Sequence, residues 1–291
     1  MAFRGIFDAP KIVPSQFGLF VVAKPNSPVA EDQWVRGFSQ LWETRPNYGR
    51  NWDETSDTDE VLFSDADAPL FTEHKSFFIE VEDYRSTFSL NGEDRFARVL
   101  RQLEGISQRA CEAELWDGAI ALGESLSNPY FTRETGGATV LNSGTALSPR
   151  RAIALLEHTI GQTSAAGEQG VIHMTRDTAA LLSSTSNMLF HDKDREHLQT
   201  VGGTPVVVGS GYSGNGPIGA TGASATATNK WIYATGTVRV YLGKPDVVND
   251  NLAQGYDVSG NANDMRIKAT RAASVYFDSS IYLAVRVDLT A

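Results

Sequence analysis

One cysteine, five histidines and no long apolar run are what this 291-residue sequence has least of, and each scarcity removes a class of function. Cys111 alone supports neither a disulfide framework nor a thiolate metal cluster within one chain, so it reads as small core filler. No apolar stretch approaches the roughly 18 residues that span a bilayer, and Met1 to Lys11 is too short and too polar for a signal peptide. No membrane partner is therefore expected, and the protein should be made and kept in the cytoplasm, or released by lysis. Basic residues are outnumbered, 25 Lys and Arg against 35 Asp and Glu, for a formal net charge of −10. This argues against direct nucleic-acid binding, which needs clustered Lys and Arg to displace counterions from phosphates.

Catalytic and metal-binding patterns are equally thin. His191 and His197 lie six apart, an offset that does not place both rings on one helical face, so HDKDREH reads as a charged turn. His158 and His173 stand alone amid apolar neighbours and read as core histidines. Ser213 lacks a nucleophile elbow, because Asn215 stands where the second glycine belongs. Gly209 to Gly214, GSGYSG, fits G-x-G-x-x-G after a strand. No helix follows it to hold a pyrophosphate, and Asn229 and Lys230 occupy the place of the ribose-binding acid. No nucleophile, base and orienting group assemble, so the expectation is no enzyme, no cofactor and no metal.

What is present is organised around Asn91 to Gly118, the longest helical pattern. Phe96, Val99, Leu100, Leu103, Ile106, Ala110 and Ala113 recur three or four apart, predicting one buried stripe. Asn91 is a plausible N-cap and Gly118 a C′ residue. Arg95, Arg98, Arg101 and Arg109 lie off the stripe. They either form a solvated face paired with Glu93, Asp94, Glu104 and Glu112, or meet acidic surface on a neighbouring subunit. Before the helix, Met1 to about Tyr48 reads as an extended arm, with a strand over Phe17 to Val22 and a helix over Glu31 to Thr44 from the spacing of Trp34, Phe38 and Trp42. Asn51 to Asp67 carries seven acids and no base. Lys75 to Leu90 reads as a half-buried strand forming a projecting hairpin with Glu60 to Phe63. After the helix, Ser148 and Pro149 open a second helix that Gly161 ends, Gly170 to Met174 is a strand, and a third helix follows Thr175 or Asp177. TPVVV at Thr204 to Val208 is a buried strand, Gly209 to Asn229 is too rich in Gly, Ser and Ala for regular structure, and strands return over Trp231 to Leu242 and Met265 to Asp288. No βαβ repeat orders these elements, so the class is α+β.

The chain resembles the major capsid proteins of tailed bacteriophages, especially those of actinobacteria, through FFIEVEDYRSTF, EDRFARVLRQLEGISQRACEAELWDG, ALSPRRAIALLEHTIGQTSAAGEQGVIHMTRDTAALL, VGGTPVVVGSGYSGNGP, WIYATGTVRVYLG and RAASVYFDSSIYLAVRVDL. The resemblance implies the Hong-Kong-ninety-seven-like capsid fold. Residues 1–48 would be the N-terminal arm and 49–90 the extended loop. The peripheral domain would comprise 91–147 and about 242–277, with spine helix 91–118, and the axial domain 148–241 and about 278–291. It further implies self-assembly into pentamers and hexamers of an icosahedral shell around double-stranded DNA held without specific binding. The shell would assemble in the host bacterial cytoplasm and end as the virion capsid. Partners would be a portal, a separate scaffolding protein, since Pro10 and Pro14 leave no room for a fused helical one, and decoration proteins in decorated shells. Asp57, Asp59, Glu60, Asp65, Asp67 and Lys75 on the loop, Arg95, Arg98 and Arg101 on the helix, and Trp34 and Phe38 on the arm are the expected assembly interface. Gly209, Gly211, Tyr212, Gly214 and Pro217 are expected at a capsomer axis. The rival of the same fold is an encapsulin, a nanocompartment shell; the rival of another class is a small-molecule enzyme using the Gly-rich loop.

Overall fold

The computed structural model describes residues 15–26, 38–41, 71–86, 95–120, 123, 128–133, 137–163, 170–186, 189–191, 197–249 and 264–290. Two larger sheets divide it, with a two-stranded ribbon beside them. The first has a 14-residue strand, β12 (Asp264–Phe277), as its axis. One edge of β12 takes β3 (Phe77–Ser86) over ten antiparallel pairs, Asp264↔Ser86 to Ala273↔Phe77. Its other edge takes β11 (Asp246–Asn249) and then β10 (Val238–Leu242) in succession, both antiparallel. The second sheet has seven strands in the order β4-β13-β9-β5-β8-β7-β6. In chain order these are β4 (Thr139–Val140), β5 (Val171–Thr175), β6 (Leu189–His191), β7 (Leu198–Thr200), β8 (Pro205–Gly209), β9 (Asn229–Thr235) and β13 (Tyr282–Asp288).

Strand β3 therefore pairs with the C-terminal β12, a partner the sequence did not suggest; the expected hairpin strand Glu60 to Phe63 lies outside the described residues. Alternation reports that a strand has one buried face and does not identify the strand beside it. The window read as a helix over Glu31 to Thr44 contains β1 (Phe38–Leu41), paired antiparallel with β2 (Phe71–His74). A spacing of four is also a multiple of two, so the same pattern that suggested a helix keeps its residues on one face of a strand.

The long helix α2 (Arg95–Asp117) packs on the first sheet, with Val99, Leu103, Cys111 and Leu115 fully buried among Phe77, Ile79, Ile267, Ala269 and Ala273. The buried stripe keeps Val99 and Leu103 of the predicted one and departs from it elsewhere. Phe96 and Ile106 are 45% and 39% exposed, while Ser107, Gln108, Glu112 and Glu114 are buried. Selecting by apolarity alone omits polar side chains whose hydrogen bonds are made internally, as Ser107 Oγ does by donating to the Leu103 carbonyl at 2.6 Å. Gly118 ends the helix as expected, at φ +64° with its N–H on the Glu114 carbonyl at 2.8 Å. A Cβ there would meet Tyr130 Cδ1 at 2.7 Å. Gly118→Ala is therefore expected to lower unfolding free energy by about 1–2 kcal/mol, read by urea melts.

On the second sheet, α3 (Pro149–Thr163) and α4 (Arg176–Ser186) cover one face, with Ile153, Leu156 and Ile160 buried against Ile172, Met174, Val206 and Val285. Helix α3 runs two residues beyond Gly161, and His158 is exposed rather than in the core.

Residues 15–26 join the two sheets. The run Phe17 to Val22, predicted as a strand, contains instead the short helix α1 (Leu19–Ala23), with Leu19 fully buried. Ahead of it the Phe17 carbonyl accepts from Val208 N of β8 at 2.8 Å. Behind it Asn26 N donates to the Val240 carbonyl and its own carbonyl accepts from Leu242 N, both on β10 and both at 2.9 Å. This part of the expected arm lies on its own chain, strapping one sheet to the other.

Candidate functional site

The G-x-G-x-x-G segment lies where α2, the strap and the second sheet meet. Its backbone amides turn inward onto a carboxylate of the same chain. Glu112 Oε2 accepts from Ser210 N at 2.7 Å, Gly211 N at 2.8 Å and Ser210 Oγ at 3.2 Å. Its Oε1 accepts from Gln108 Nε2 at 2.8 Å and from Leu19 N at 3.1 Å. Successive amides turned inward make a nest for an anion, and here the anion is built in. Gly211 is required for this approach: a Cβ there would sit 2.3 Å from the Arg109 carbonyl and 2.9 Å from Glu112 Cβ. Glu112, placed by its sequence on a solvated arginine-paired face, is fully buried.

The rest of the Gly-rich loop is pinned as firmly. Trp116 Nε1 and Tyr233 OH both donate to the Asn215 carbonyl, at 3.0 and 3.2 Å, and Asn215 Oδ1 accepts from Ala225 N at 2.9 Å. Trp231 Nε1 donates to the Gly222 carbonyl at 2.9 Å. Ser213 Oγ donates to Asp117 Oδ1 at 3.1 Å. Burial raises the Asp117 carboxyl pKa, while bonds from Ser213 and Thr132 oppose the shift.

Beneath the loop lies an aromatic core. Trp116 contacts Phe131, Tyr212 and Tyr233, with centroids 5.6, 4.6 and 4.9 Å away. Phe131 also reaches Phe277 at the end of β12. His173 sits within this core as the sequence suggested. Thr235 Oγ1 donates to the Gly236 carbonyl at 2.9 Å, so it accepts from His173 Nε2–H at 3.0 Å; Nδ1 then accepts from Tyr212 OH at 3.0 Å. Burial lowers the imidazole pKa to about 3. Both ring nitrogens are committed, Cys111 is buried with its thiol pKa pushed up, and Ser213 faces a carboxylate. Among the described residues no nucleophile, base and orienting group converge, no group of three His, Cys, Asp or Glu is placed to hold a metal, and no helix is long and apolar enough to cross a membrane.

Of the expected assembly residues, Asp57, Asp59, Glu60, Asp65, Asp67 and Trp34 lie outside the described residues. Phe38 begins β1 and Arg95 begins α2. Arg98 and Arg101 are half-buried on α2, and Lys75 is exposed. The Lys75 backbone is held at both ends by one amide: its N–H donates to Asn128 Oδ1 at 2.7 Å and its carbonyl accepts from Asn128 Nδ2 at 2.8 Å. Gly209, Tyr212, Gly214 and Pro217 are buried and Gly211 half-buried, while the loop's crest at Ile218, Gly219, Thr221 and Gly222 is exposed. The loop-holding roles of Glu112 and Asn215 were not read from sequence, which set Glu112 beside arginines and noted Asn215 only as ruling out a nucleophile elbow. Glu112 carries one signal, an acid inside CEAELW, where the hydrophobic residues Cys111, Leu115 and Trp116 flank it on both sides of the helix.

No protein-family model matches the sequence, and no curated protein does. Among solved structures, the chain is similar to the capsid of an empty GTA particle, at 14% identity and a TM-score of 0.59, over 99% of this chain and 95% of that one. It is also similar to the capsid of Ralstonia phage GP4, at 11% identity and a TM-score of 0.52, over 99% and 95%. A third similarity is to Mycobacterium phage Ogopogo, at 16% identity and a TM-score of 0.50, over 99% and 96%. The chain has the shell-forming α+β fold of phage capsids over nearly its whole length.

Proposed function

We propose that this chain is the major capsid protein of a tailed bacteriophage, a subunit that self-assembles into pentamers and hexamers of an icosahedral shell around double-stranded DNA. The observation that carries the reading is the likeness of fold over 99% of the chain to a capsid of which it covers 95%. The site chemistry agrees, because the segment closest to a nucleotide motif is filled by Glu112. In this reading α2 and the four-stranded sheet form the peripheral domain. The seven-stranded sheet forms the axial domain, with the exposed crest Ile218 to Gly222 turned to the capsomer axis and the five inner loop residues supporting it. The net charge of −10 suits DNA enclosed without specific contacts.

Size-exclusion chromatography with negative-stain microscopy of the expressed protein tests this. Capsomers or closed particles are expected, and a single small oligomer at every concentration would overturn the proposal. Particles enclosing a protein cargo instead of DNA when isolated from the native host would favour the encapsulin reading.

The acidic stretch supplies a second expectation. Residues 71–75 are tied into the fold by β2 and by Asn128, so a clean excision ends before them. Replacing residues 42–70 with a Gly-Ser linker is expected to leave a cooperatively melting monomer while abolishing closed particles. If the acids meet Arg98 and Arg101 of a neighbour, Arg101→Glu lowers capsomer yield about tenfold at low salt, with a smaller effect at 0.5 M where exposed pairs are screened.

A further inference from the structure

The ribbon β1–β2 rests on the face of the four-stranded sheet that α2 leaves uncovered. Along β12 the residues Ala273, Val275 and Phe277 point into the core beside α2, so Ser274 and Tyr276 belong to the opposite face. There the ring of His74, the last residue of β2, stacks on Tyr276 with centroids 4.8 Å apart and planes at 29°. Tyr276 stacks in turn on Tyr241 at 5.9 Å. His74 is 1% exposed, Ser274 is fully buried, and Tyr276 is buried with them.

This contact buries several polar atoms. His74 Nδ1 and Nε2, Ser76 Oγ and Ser274 Oγ are all buried without a hydrogen-bond partner. Buried polar groups are normally paired, and leaving one unpaired forfeits the hydration it has in water. Four such atoms at one contact mean that opening it restores four sets of hydrogen bonds to water, against the loss of ring stacking and some apolar burial. An isolated two-stranded ribbon is itself marginal in water, so a ribbon freed from the sheet also loses its own pairing.

We propose that β1–β2 is a releasable cover, docked on the sheet through His74 and let go when that imidazole takes up a proton. The inference does not depend on the proposed function. Of the elements around His74, β12 carries Asp264, Arg266, Lys268, Arg271 and Tyr276, β10 carries Arg239 and Tyr241, β1 carries no titratable residue, and Glu73 and Lys75 flank His74 in sequence. Burial lowers the His74 pKa by disfavouring the imidazolium. The docked ring holds its pKa at about 4 against 6.5 when free. Proton uptake therefore favours the released ribbon as pH falls below about 6.5. The strands of this ribbon bracket residues 42–70 in sequence.

Hydrogen exchange of the amides of residues 71–74, normalised to intrinsic rates, reads the equilibrium. Between pH 7 and pH 5 the protection in wild type is expected to fall roughly twentyfold, the ratio set by the two proton affinities. His74→Phe keeps a ring on Tyr276, removes two unpaired nitrogens and is expected to hold protection constant over that range. Ser274→Ala removes one unpaired hydroxyl and leaves the titrating ring, so it should raise protection at both pH values and keep the twentyfold fall. Wild-type protection that does not change with pH, or an equal fall in His74→Phe, overturns the proposal.

Discussion

Glu112→Ala is expected to remove about 4–6 kcal/mol of unfolding free energy, a large share of what a domain holds. The side chain accepts from three backbone amides, Leu19, Ser210 and Gly211, from the Ser210 hydroxyl and from the Gln108 amide. Truncation strands these donors where Glu112 was fully buried. Each buried unpaired donor costs about 1–3 kcal/mol, while a domain holds only about 5–15 kcal/mol in total. Glu112→Gln separates shape from charge. Its NH₂ must face one of the two donor sets; if it turns toward Gln108, that amide can rotate its oxygen to meet it and only Leu19 N is left opposed. The loss should then be about half as large. Urea melts of the two variants check this ordering, and an alanine variant within 1 kcal/mol of wild type would show that the strap and the Gly-rich loop hold without their common acceptor.

Acid is expected to destabilise the folded chain well above the pH at which its carboxylates titrate. The His173 pKa lies near 3 in the fold and near 6.5 in the unfolded chain, so below pH 6.5 the unfolded state binds the extra proton and stability falls with pH. Between pH 7 and pH 4.5 this amounts to about 2.5 kcal/mol. His74 acts with the same sign from its value of about 4, but only until its ribbon lets go, which caps its share. Asp117 opposes them: its pKa is raised, so protonation favours the fold. Asp177 and Asp288 have lowered pKa values and weaken the fold only at still lower pH. His173→Gln can accept from Tyr212 and donate to Thr235 without titrating. Denaturant melts at the two pH values should show it losing about 2.5 kcal/mol less than wild type, and an equal loss would place the acid response elsewhere.

Periodicity made much of the fold legible. Helix α3, the strand TPVVV, the closing strands and the Gly118 terminus are readable because their side chains obey one period and bury one face. The errors share a physical origin. Trp34, Phe38 and Trp42 satisfy helix and strand alike, and the strand Phe77–Ser86 does not announce that its partner is β12. Glu112 is misplaced because an acid amid arginines is assigned to solvent, although inward-turned amides of residues a hundred positions away await it. The Gly-rich loop is irregular as its composition says. Composition cannot say that the Asn215 carbonyl is shared by Trp116 and Tyr233, since that depends on where three distant segments meet.

The strap has a consequence for how the chain is made. Asn26 exchanges both of its backbone bonds with β10, more than two hundred positions later, and β3 pairs along its whole length with β12, nearer still to the C-terminus. Such remote pairings give a high contact order and slow closure. At about 5–20 residues per second, a ribosome needs roughly 10–40 s after synthesising the strap to supply its second anchor. For most of that interval Leu19 and β3 have only the long helix to pack on, while the strand edge of β3 and the backbone of Asn26 still wait for their partners. Completion of translation, rather than formation of the long helix, is the event that turns the chain into a subunit.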